Sequence, residues 1–449
     1  MKNDMTQGNP IKLILLFSIP LLIGNIFQQF YSIVDTVIVG RTIGANALAA
    51  VGSTGALMFL VLGFVQGMTG GFSVVAAQRY GAGDMAGVRS SVATSIILSV
   101  IVSSFITFIS TLGARWLLEA MRTPPDIIED AYAYLIIIFA GILATTFYNL
   151  IANMIRAIGD SRTPLVFLIV SCVINVVLDY LFIVSFHMGI AGAAYATVIA
   201  QLCAGVMCLI YTVKRHPFLI LKKEDWRSVS WSLSATHLKI GLPMAFQFSI
   251  TAIGVVVVQS ALNRLGTATV AAYTAASRLG DIMAQPLGSL GLTMATFTAQ
   301  NYGAKKMDRI REGVRKCTMI SLIFSIAGGL TVVFFGGTFV KFFIKDVGPE
   351  IIEQAQIYLN IIAGFLFVLG VLFIYRNTLQ GLGSTLVPMI AGVSELVMRV
   401  VVVMSVLGTA GYVGVCFAEP IAWIGGALPL AIKYFIEIKK LAGKSKQVV

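Results

Sequence analysis

The chain has 449 residues, of which 57% are hydrophobic and 12% are charged, and its mean hydropathy is +0.90. Soluble proteins carry about 25% charged residues, so this composition excludes an ordinary soluble protein and indicates a membrane protein with many spans. The formal net charge of +12 does not indicate a nucleic-acid partner, because the basic residues cluster between the apolar runs.

About twelve apolar runs follow one another along the chain, each of roughly 20 to 27 residues, which is the length of a membrane-spanning helix. A β-barrel is excluded, because its strands are about ten residues long and alternate in polarity. We therefore expect an all-α membrane protein with twelve transmembrane helices. The approximate limits are 13–39, 46–71, 90–113, 131–153, 164–186, 189–213, 240–263, 268–298, 315–340, 354–378, 386–407 and 411–437.

The basic residues predict how the chain is oriented in the membrane. If the N-terminus is inside, most of the 32 Lys and Arg residues lie on the cytoplasmic side, above all in the loops at 214–227 and 305–316 and in the tail. Both termini are then cytoplasmic. We expect a multi-pass protein of the cell (inner or plasma) membrane without a cleavable signal peptide. The five Cys and three His lack metal-ligand spacing, so no cofactor is expected.

An internal repeat divides the sequence into two halves. The run from Gln78 to Ala82 matches the run from Gln300 to Ala304 at an offset of 222, and Pro20 matches Pro243 at an offset of 223. Gly159 matches Gly383 at an offset of 224. Six spans per half give both halves the same orientation. This predicts two six-helix bundles related by a pseudo-two-fold axis around a central cleft. The expected boundaries are 1–220, a cytoplasmic linker at 221–236, and 237–449.

The two halves differ in their membrane-embedded polar residues. Asp35 aligns with a valine of the second half, and a carboxylate in hydrocarbon costs about 2.5 to 3.5 kcal/mol, so it needs a cavity or a partner. Helical rise puts Asp35, Asn175, Asp179 and Thr197 at one depth in the outer half of the first bundle. Two carboxylates, an amide and a hydroxyl suit a small hard cation such as Na⁺, or a shared proton. A purely structural polar network is the alternative.

The span that corresponds to the one with Asn175 and Asp179 carries Glu395 and Arg399 instead. These two residues share a helix face at i, i+4 and could neutralise each other. The pair is either structural or a cleft pair that a cationic substrate or a proton can break. Other polar residues in the spans either line the cleft or join helices by hydrogen bonds, namely Gln28, Asn149, Asn153 and Gln259.

These features together resemble the MATE (multidrug and toxic compound extrusion) transporters over essentially the whole chain. The resemblance rests on the six-plus-six spans, VDTVIVGRTIG in span one, AAQRYGAG after span two and RAIGDSRTP after span four, with Asn175 and Asp179 in span five. It implies cation-coupled efflux of amphipathic, often cationic compounds by alternating access, driven by Na⁺ or H⁺. It also implies that Asp35, Asn175, Asp179 and Thr197 form the coupling site and that Pro20 marks a bend in span one.

Two other functions fit the sequence less well than efflux. A flippase for lipid-linked saccharides would need a basic cleft for pyrophosphate, and few basic residues, such as Arg399, lie inside the predicted spans. An intramembrane enzyme would need a catalytic set with histidine or a metal, and the predicted spans contain no histidine. We therefore expect a transporter rather than an enzyme, a monomer in the lipid bilayer, with a small molecule as its partner.

Overall fold

The computed structural model describes residues 4–343, 348–406 and 410–446, and every regular element in those ranges is helical. A π-helical segment, Tyr180–Ser185, directly follows α6, and a 3₁₀ turn, Pro217–Leu219, precedes α8. The first half of the sequence forms α1 (Pro10–Thr42), α2 (Ala45–Gly81), α3 (Met85–Ala120), α4 (Ile128–Ala140), α5 (Ile142–Ala157), α6 (Arg162–Asp179), α7 (Gly189–Arg215) and α8 (Lys223–Arg227).

The second half repeats this order of long helices. Its elements are α9 (Trp231–Asn263), α10 (Thr267–Gly303), α11 (Met307–Phe343), α12 (Pro349–Gly381), α13 (Leu386–Val406), α14 (Gly411–Cys416) and α15 (Ala418–Lys446). Both α1 and α9 have 33 residues and contain a proline, Pro20 or Pro243, and both α2 and α10 have 37 residues. The internal repeat of the sequence is therefore also a repeat of helix lengths.

The prediction of a twelve-span, all-α membrane protein is confirmed. Within the described ranges, ten helices are long and apolar enough to cross a membrane, and α4 with α5 forms an eleventh span if this pair, bent by 48°, is counted as one. The remaining long helix, α10, has the length of a span but carries Arg278 and Asp281. Gly141 lies at the bend, where an added Cβ would be 2.3 Å from a methyl group of Val198.

Two compact units divide the chain, and their limits differ from the boundaries expected at 220 and 236. One unit contains Pro20–Ser249, and the other contains Met5–Ile19 together with Ile250–Val449. The linker and the first part of α9 thus belong to the first unit, whereas the start of α1 belongs to the second unit. We call them unit 1 and unit 2. The limit in α1 falls at Pro20, which removes one backbone hydrogen bond from an otherwise continuous helix.

In unit 1, α2 and the first part of α9 pack at very short range. A Cβ added to Gly67 would lie 2.5 Å from the carbonyl oxygen of Met244, and one added to Gly71 would lie 2.5 Å from the Cα of Gly241. The helix backbones can approach this closely only because these positions have no side chains. Phe72, which is fully buried, packs its ring against His237 at 5.8 Å between centroids. This contact joins the start of α9 to the core of unit 1.

In unit 2, the segment at residues 5–8, which precedes α1, binds the turn between α10 and α11 through its backbone. Asn301 donates a hydrogen bond of 3.2 Å to the carbonyl oxygen of residue 5, and Arg309 donates one of 2.9 Å to that of residue 8. Lys306 donates a hydrogen bond of 2.9 Å to the carbonyl oxygen of residue 6. Three polar side chains therefore hold the backbone of this segment, and the side chains of residues 5 and 6 are buried.

Candidate functional site

The four residues predicted for cation coupling come together inside unit 1. Asp35 lies on α1, Asn175 and Asp179 lie in the last turns of α6, and Thr197 lies in the first half of α7. Asp179 is fully buried, and Asn175 and Asp35 are exposed by only 1% and 8%. The helix changes from α to π immediately after Asp179. Single π turns are frequent at functional sites, because they turn a side chain away from the regular helical face.

The hydroxyl of Thr197 is the centre of the hydrogen bonds at this site. It donates to the carbonyl oxygen of Ala193 at 3.1 Å and accepts from the side-chain amide of Asn175 at 3.3 Å. The hydroxyl of Tyr31 lies 3.3 Å from it. Because Thr197 has a single proton, which it gives to Ala193, Tyr31 is the donor in this contact. The amide orientation of Asn175 leaves its carbonyl oxygen directed elsewhere.

With Asp35 and Asp179 both ionised, four buried acceptor oxygens at this site have no hydrogen-bond donor. They are Oδ1 of Asp35, Oδ1 of Asn175 and both carboxylate oxygens of Asp179. The two carboxylates interact electrostatically with each other and with Tyr31 and Tyr134. Buried acceptors without donors are costly, and two neighbouring carboxylates repel each other. These oxygens therefore suit one small cation, Na⁺ or H⁺, between Asp35 and Asp179.

The chemistry of these oxygens does not suit a transition metal. Transition metals in proteins favour imidazole and thiolate ligands, whereas carboxylate, amide and hydroxyl oxygens suit hard cations. Within residues 4–343, 348–406 and 410–446, no three or more His, Cys, Asp or Glu side chains are grouped as they would be around a metal ion. Sequence reasoning missed the two tyrosines. Tyr31 could have been found, because it lies one turn before Asp35 on α1.

The remaining polar residues predicted for the cleft have different surroundings. Asn153 is buried, donates a hydrogen bond of 3.1 Å to Thr69 on α2 and accepts one of 2.9 Å from Arg156, so it joins α5 to α2. Gln259 is exposed and bonds to Asn263 one turn later on α9. Gln28 is exposed and Asn149 is half-buried. Whether these two line a cleft stays a prediction.

The predicted pair of Glu395 and Arg399 is not the ion pair that unit 2 forms. Glu395 on α13 pairs instead with Arg376 on α12, and both side chains are buried. Arg399 is also buried, and its Nε has no hydrogen-bond partner. The i, i+4 spacing correctly places both residues on one helix face. The partner of Glu395, however, comes from another helix, and the spacing along one helix cannot reveal it.

Unit 2 has its own polar cluster at the position that corresponds to the site in unit 1. Tyr273 and Tyr358 direct their hydroxyls to the two carboxylate oxygens of Glu419, at 3.5 and 3.3 Å, and their rings lie 4.8 Å apart. Tyr358 follows Tyr134 by 224 positions and Glu419 follows Thr197 by 222, which are the offsets of the repeat. Sequence reasoning missed this cluster, although these offsets were the available signal.

Comparison with known proteins identifies the family. The MatE family model matches residues 20–181 and 243–405. The two matches begin at Pro20 and Pro243, so the model recognises each half of the repeat separately. The chain belongs to the MatE family. The resemblance to MATE transporters that the sequence motifs indicated is thereby confirmed, and the family assignment points to a transporter.

The relatives of this MatE chain cover most of its length. It is 31% identical over 385 residues to the probable multidrug resistance protein YpnP of Bacillus subtilis (strain 168), with 85% of each chain covered. It is 28% identical over 387 residues to the probable multidrug resistance protein YoeA of the same strain, with 84% of this chain and 82% of the relative covered.

Among solved structures, the MatE chain is similar to an outward-facing multidrug resistance MATE family transporter of the MOP superfamily. The TM-score is 0.90, with 24% sequence identity and coverage of 97% of this chain and 98% of the other. This likeness establishes the same twelve-helix, two-bundle fold for the MatE chain.

Proposed function

We propose that this chain is a cation-coupled antiporter that exports amphipathic, often cationic drugs or toxic compounds by alternating access. The family assignment and the multidrug resistance names of the relatives support efflux of small molecules. The observation that carries the coupling is the group of buried acceptor oxygens on Asp35, Asn175 and Asp179 that have no donor. Neither the family nor the relatives' names favour the flippase reading.

The coupling residues divide the work between charge and position. Asp35 and Asp179 supply the negative charge that a cation or a proton neutralises, and Thr197 fixes the amide of Asn175 by accepting its hydrogen bond. A bound ion shifts the equilibrium between inward and outward states only through different affinities for the two states. The change of charge at the two carboxylates is the source of that difference, and Tyr31 and Tyr134 lie close enough to respond to it.

The central test is dye efflux from proteoliposomes under Na⁺ and pH gradients that are imposed separately. We expect Asp35→Asn and Asp179→Asn each to reduce gradient-driven efflux at least tenfold. Each change removes one of the two carboxylates whose mutual repulsion a bound cation relieves. Asp130→Asn changes an exposed carboxylate in the first turn of α4 and is the matched control. Normal efflux rates and normal gradient dependence in both site variants would contradict the proposal.

A binding measurement separates the coupling site from the rest of the transport cycle. Radioactive Na⁺ binding and proton release by the detergent-solubilised protein report on the site directly. We expect Thr197→Val to weaken binding about tenfold, whereas Thr197→Ser keeps the hydroxyl and binds normally. Equal binding by the two variants would contradict the role given to Thr197.

Orientation and assembly are part of the same proposal. The basic loops support cytoplasmic termini, and all four coupling residues come from unit 1 of a single chain, which supports a monomer. Accessibility of single cysteines at the two termini to an impermeant reagent tests the orientation. Light scattering of the purified protein, corrected for bound detergent, tests the oligomeric state.

A further inference from the structure

Unit 1 contains an apolar cavity of about 290 Å³ away from the coupling site. It lies between α3, α5 and α7, and Leu219, Ile220 and Leu221, which follow α7 in the chain, are also part of its lining. Its polar lining groups include the hydroxyls of Ser99, Thr146 and Thr212. Thr146 bonds to Ser103 and Thr212 bonds to a backbone carbonyl, whereas the hydroxyl of Ser99 has no partner. The walls therefore suit an apolar ligand.

The internal repeat explains why unit 1 has room at this place. The positions that correspond to Ser99 and Thr146 are Ser321 and Gly370 in unit 2. A Cβ added to Gly370 would lie 1.9 Å from the hydroxyl oxygen of Ser321, so α12 packs directly against α11 there. In unit 1 this position has the larger side chain of Thr146, whose hydroxyl lies 2.8 Å from that of Ser103 on α3.

Part of the cavity lining is exposed on the surface of unit 1. Its lining residues Val100, Leu209 and Ile220 are exposed large hydrophobic side chains, and they lie on α3, on α7 and in the linker. An exposed apolar face on membrane-spanning helices lies against lipid. An apolar ligand can therefore reach the cavity from the hydrocarbon region.

Exposed basic residues are next in sequence to lining residues at the end of α7 and after the stretch 219–221. Lys214 and Arg215 follow the lining residue Val213, and Lys222 and Lys223 follow the lining residue Leu221. The stretch 214–223 contains four basic residues and no acidic one, and the exposed Glu224 follows it. The neighbouring Asp225 is buried and paired with Arg89 at 3.1 Å, so its charge is already neutralised. The excess of basic residues predicts that this end faces the cytoplasmic leaflet, whose surface carries anionic lipids.

We propose that this cavity holds an acyl chain of one anionic phospholipid, with the phosphate beside Lys214, Arg215 and Lys222. The apolar walls bind the chain, and the basic residues select the anionic headgroup. Because Leu219 to Leu221 form part of the wall, the lipid fastens this stretch to α3, α5 and α7. The site is separate from Asp35 and Asp179, so this proposal can be tested independently of the proposed coupling.

The test compares phosphatidylglycerol with phosphatidylcholine of identical acyl chains. Native mass spectrometry counts the lipids retained by the purified full-length protein, and thermal unfolding in detergent measures the stabilisation by each lipid. We expect wild type to retain one phosphatidylglycerol and to gain more thermal stability from it than from phosphatidylcholine. Equal retention and equal stabilisation by the two lipids would overturn the proposal.

Two kinds of variant separate the cavity from its basic rim. Ser99→Leu fills the cavity without removing a hydrogen bond, and we expect it to abolish the retained lipid. The double variant Lys214→Gln/Lys222→Gln leaves the walls untouched, and we expect it to weaken phosphatidylglycerol binding about tenfold while phosphatidylcholine binding stays the same. Lys439→Gln/Lys440→Gln removes two exposed charges near the end of α15 as the matched control.

Further outcomes count against the proposal. Retention of phosphatidylglycerol by Ser99→Leu would place the lipid elsewhere. An uncharged hydrophobic dye could also displace the lipid. If it did so equally well in wild type and in the Lys214→Gln/Lys222→Gln variant, the cavity would be a site for apolar small molecules. If Ser99→Leu does not fold, the rim double variant still decides the question, because a headgroup preference equal to wild type contradicts the assignment.

Discussion

The buried ion pair between Arg376 and Glu395 is the clearest residue-scale constraint in unit 2. Both residues are only 6% exposed, and they join α12 to α13. Removing two charges from water is costly, and their attraction repays that cost only while both partners remain. The pair therefore adds little stability compared with two apolar side chains. Its main effect is that the loss of either charge destabilises unit 2.

This asymmetry gives a prediction for single and double variants. Glu395→Gln leaves the guanidinium of Arg376 buried without a counter-charge, so we expect it to lower the free energy of unfolding by about 3 to 5 kcal/mol. Arg376→Met combined with Glu395→Met should recover most of that loss. Thermal unfolding in detergent is the measurement, with Glu312→Gln, at an exposed pair with Lys316, as the control. A double variant as unstable as the single one contradicts this account.

His216, just after α7, gives unit 1 a dependence on pH. Burial lowers the pKa of its imidazole, the charge of Arg215 lowers it further, and that of Asp160 opposes the change. The folded protein thus binds this proton less readily than the unfolded chain. The stabilising contribution is complete above the ordinary histidine pKa of about 6.5 and is lost as the pH falls below it.

The measurement for His216 is the unfolding temperature between pH 7.5 and 5. We expect wild type to lose stability as the pH falls, and His216→Gln to lose less over the same interval. His187→Asn changes an exposed histidine whose positive φ of 54° asparagine tolerates, so it serves as the control. Identical pH profiles for wild type and His216→Gln would refute the assignment.

The residues proposed for coupling show how far sequence reasoning reaches at this scale. Asp35, Asn175, Asp179 and Thr197 could be grouped because helical rise fixes the depth of each residue in its span. The partner of Glu395 could not be predicted, because it depends on which helices are neighbours and how they are rotated. Tyr134 was missed for the same reason, since it reaches the site from α4.

At the scale of elements, the approach of α9 to α2 depends on two glycines. Gly71→Ala would put a methyl group against the backbone of Gly241, which cannot move aside as a flexible side chain can. We expect it to reduce stability by about 1 to 3 kcal/mol, the usual cost of overpacking. Gly70→Ala is the matched control, because its Cβ would meet only the end of Met244 at 3.8 Å. Similar unfolding temperatures for the two variants would contradict the close packing.

Irregular elements are the part of the fold that the sequence did not predict. The apolar run at 131–153 indicates one span, whereas the structure bends it by 48° at Gly141. The run VVLDYLFIVS contains no glycine or proline, yet it passes from α-helix to π-helix after Asp179. The position that corresponds to Gly141 in unit 2 is in the continuous helix α12.

At the scale of the whole molecule, the two units do not follow the order of the sequence. The internal repeat correctly predicts two halves with the same helix order. It does not reveal that Met5–Ile19 is grouped with unit 2 or that unit 1 extends to Ser249. Such grouping depends on contacts between helices far apart in sequence, and apolar periodicity contains no information about them.

This grouping predicts which fragments fold. A fragment of residues 1–263 includes all of α9 and can bury Phe72 against His237, whereas a fragment of residues 1–230 cannot. We expect the longer fragment to be monodisperse in detergent and resistant to limited proteolysis, and the shorter one to aggregate. Size-exclusion chromatography compares the two fragments. Equal resistance of both fragments would show that α9 is dispensable for unit 1.

The backbone hydrogen bonds at residues 5–8 bear on how this chain can vary. Asn301, Lys306 and Arg309 hold carbonyl oxygens, which every amino acid possesses. Substitutions in the exposed part of that segment therefore leave these bonds intact. Changing Asn301 or Lys306 breaks one of them, and changing Arg309 breaks two, because it also donates to the carbonyl oxygen of residue 5. Deleting the first eight residues would remove all the acceptors at once. An affinity tag for purification is therefore better attached at the C-terminus than in place of residues 1–8.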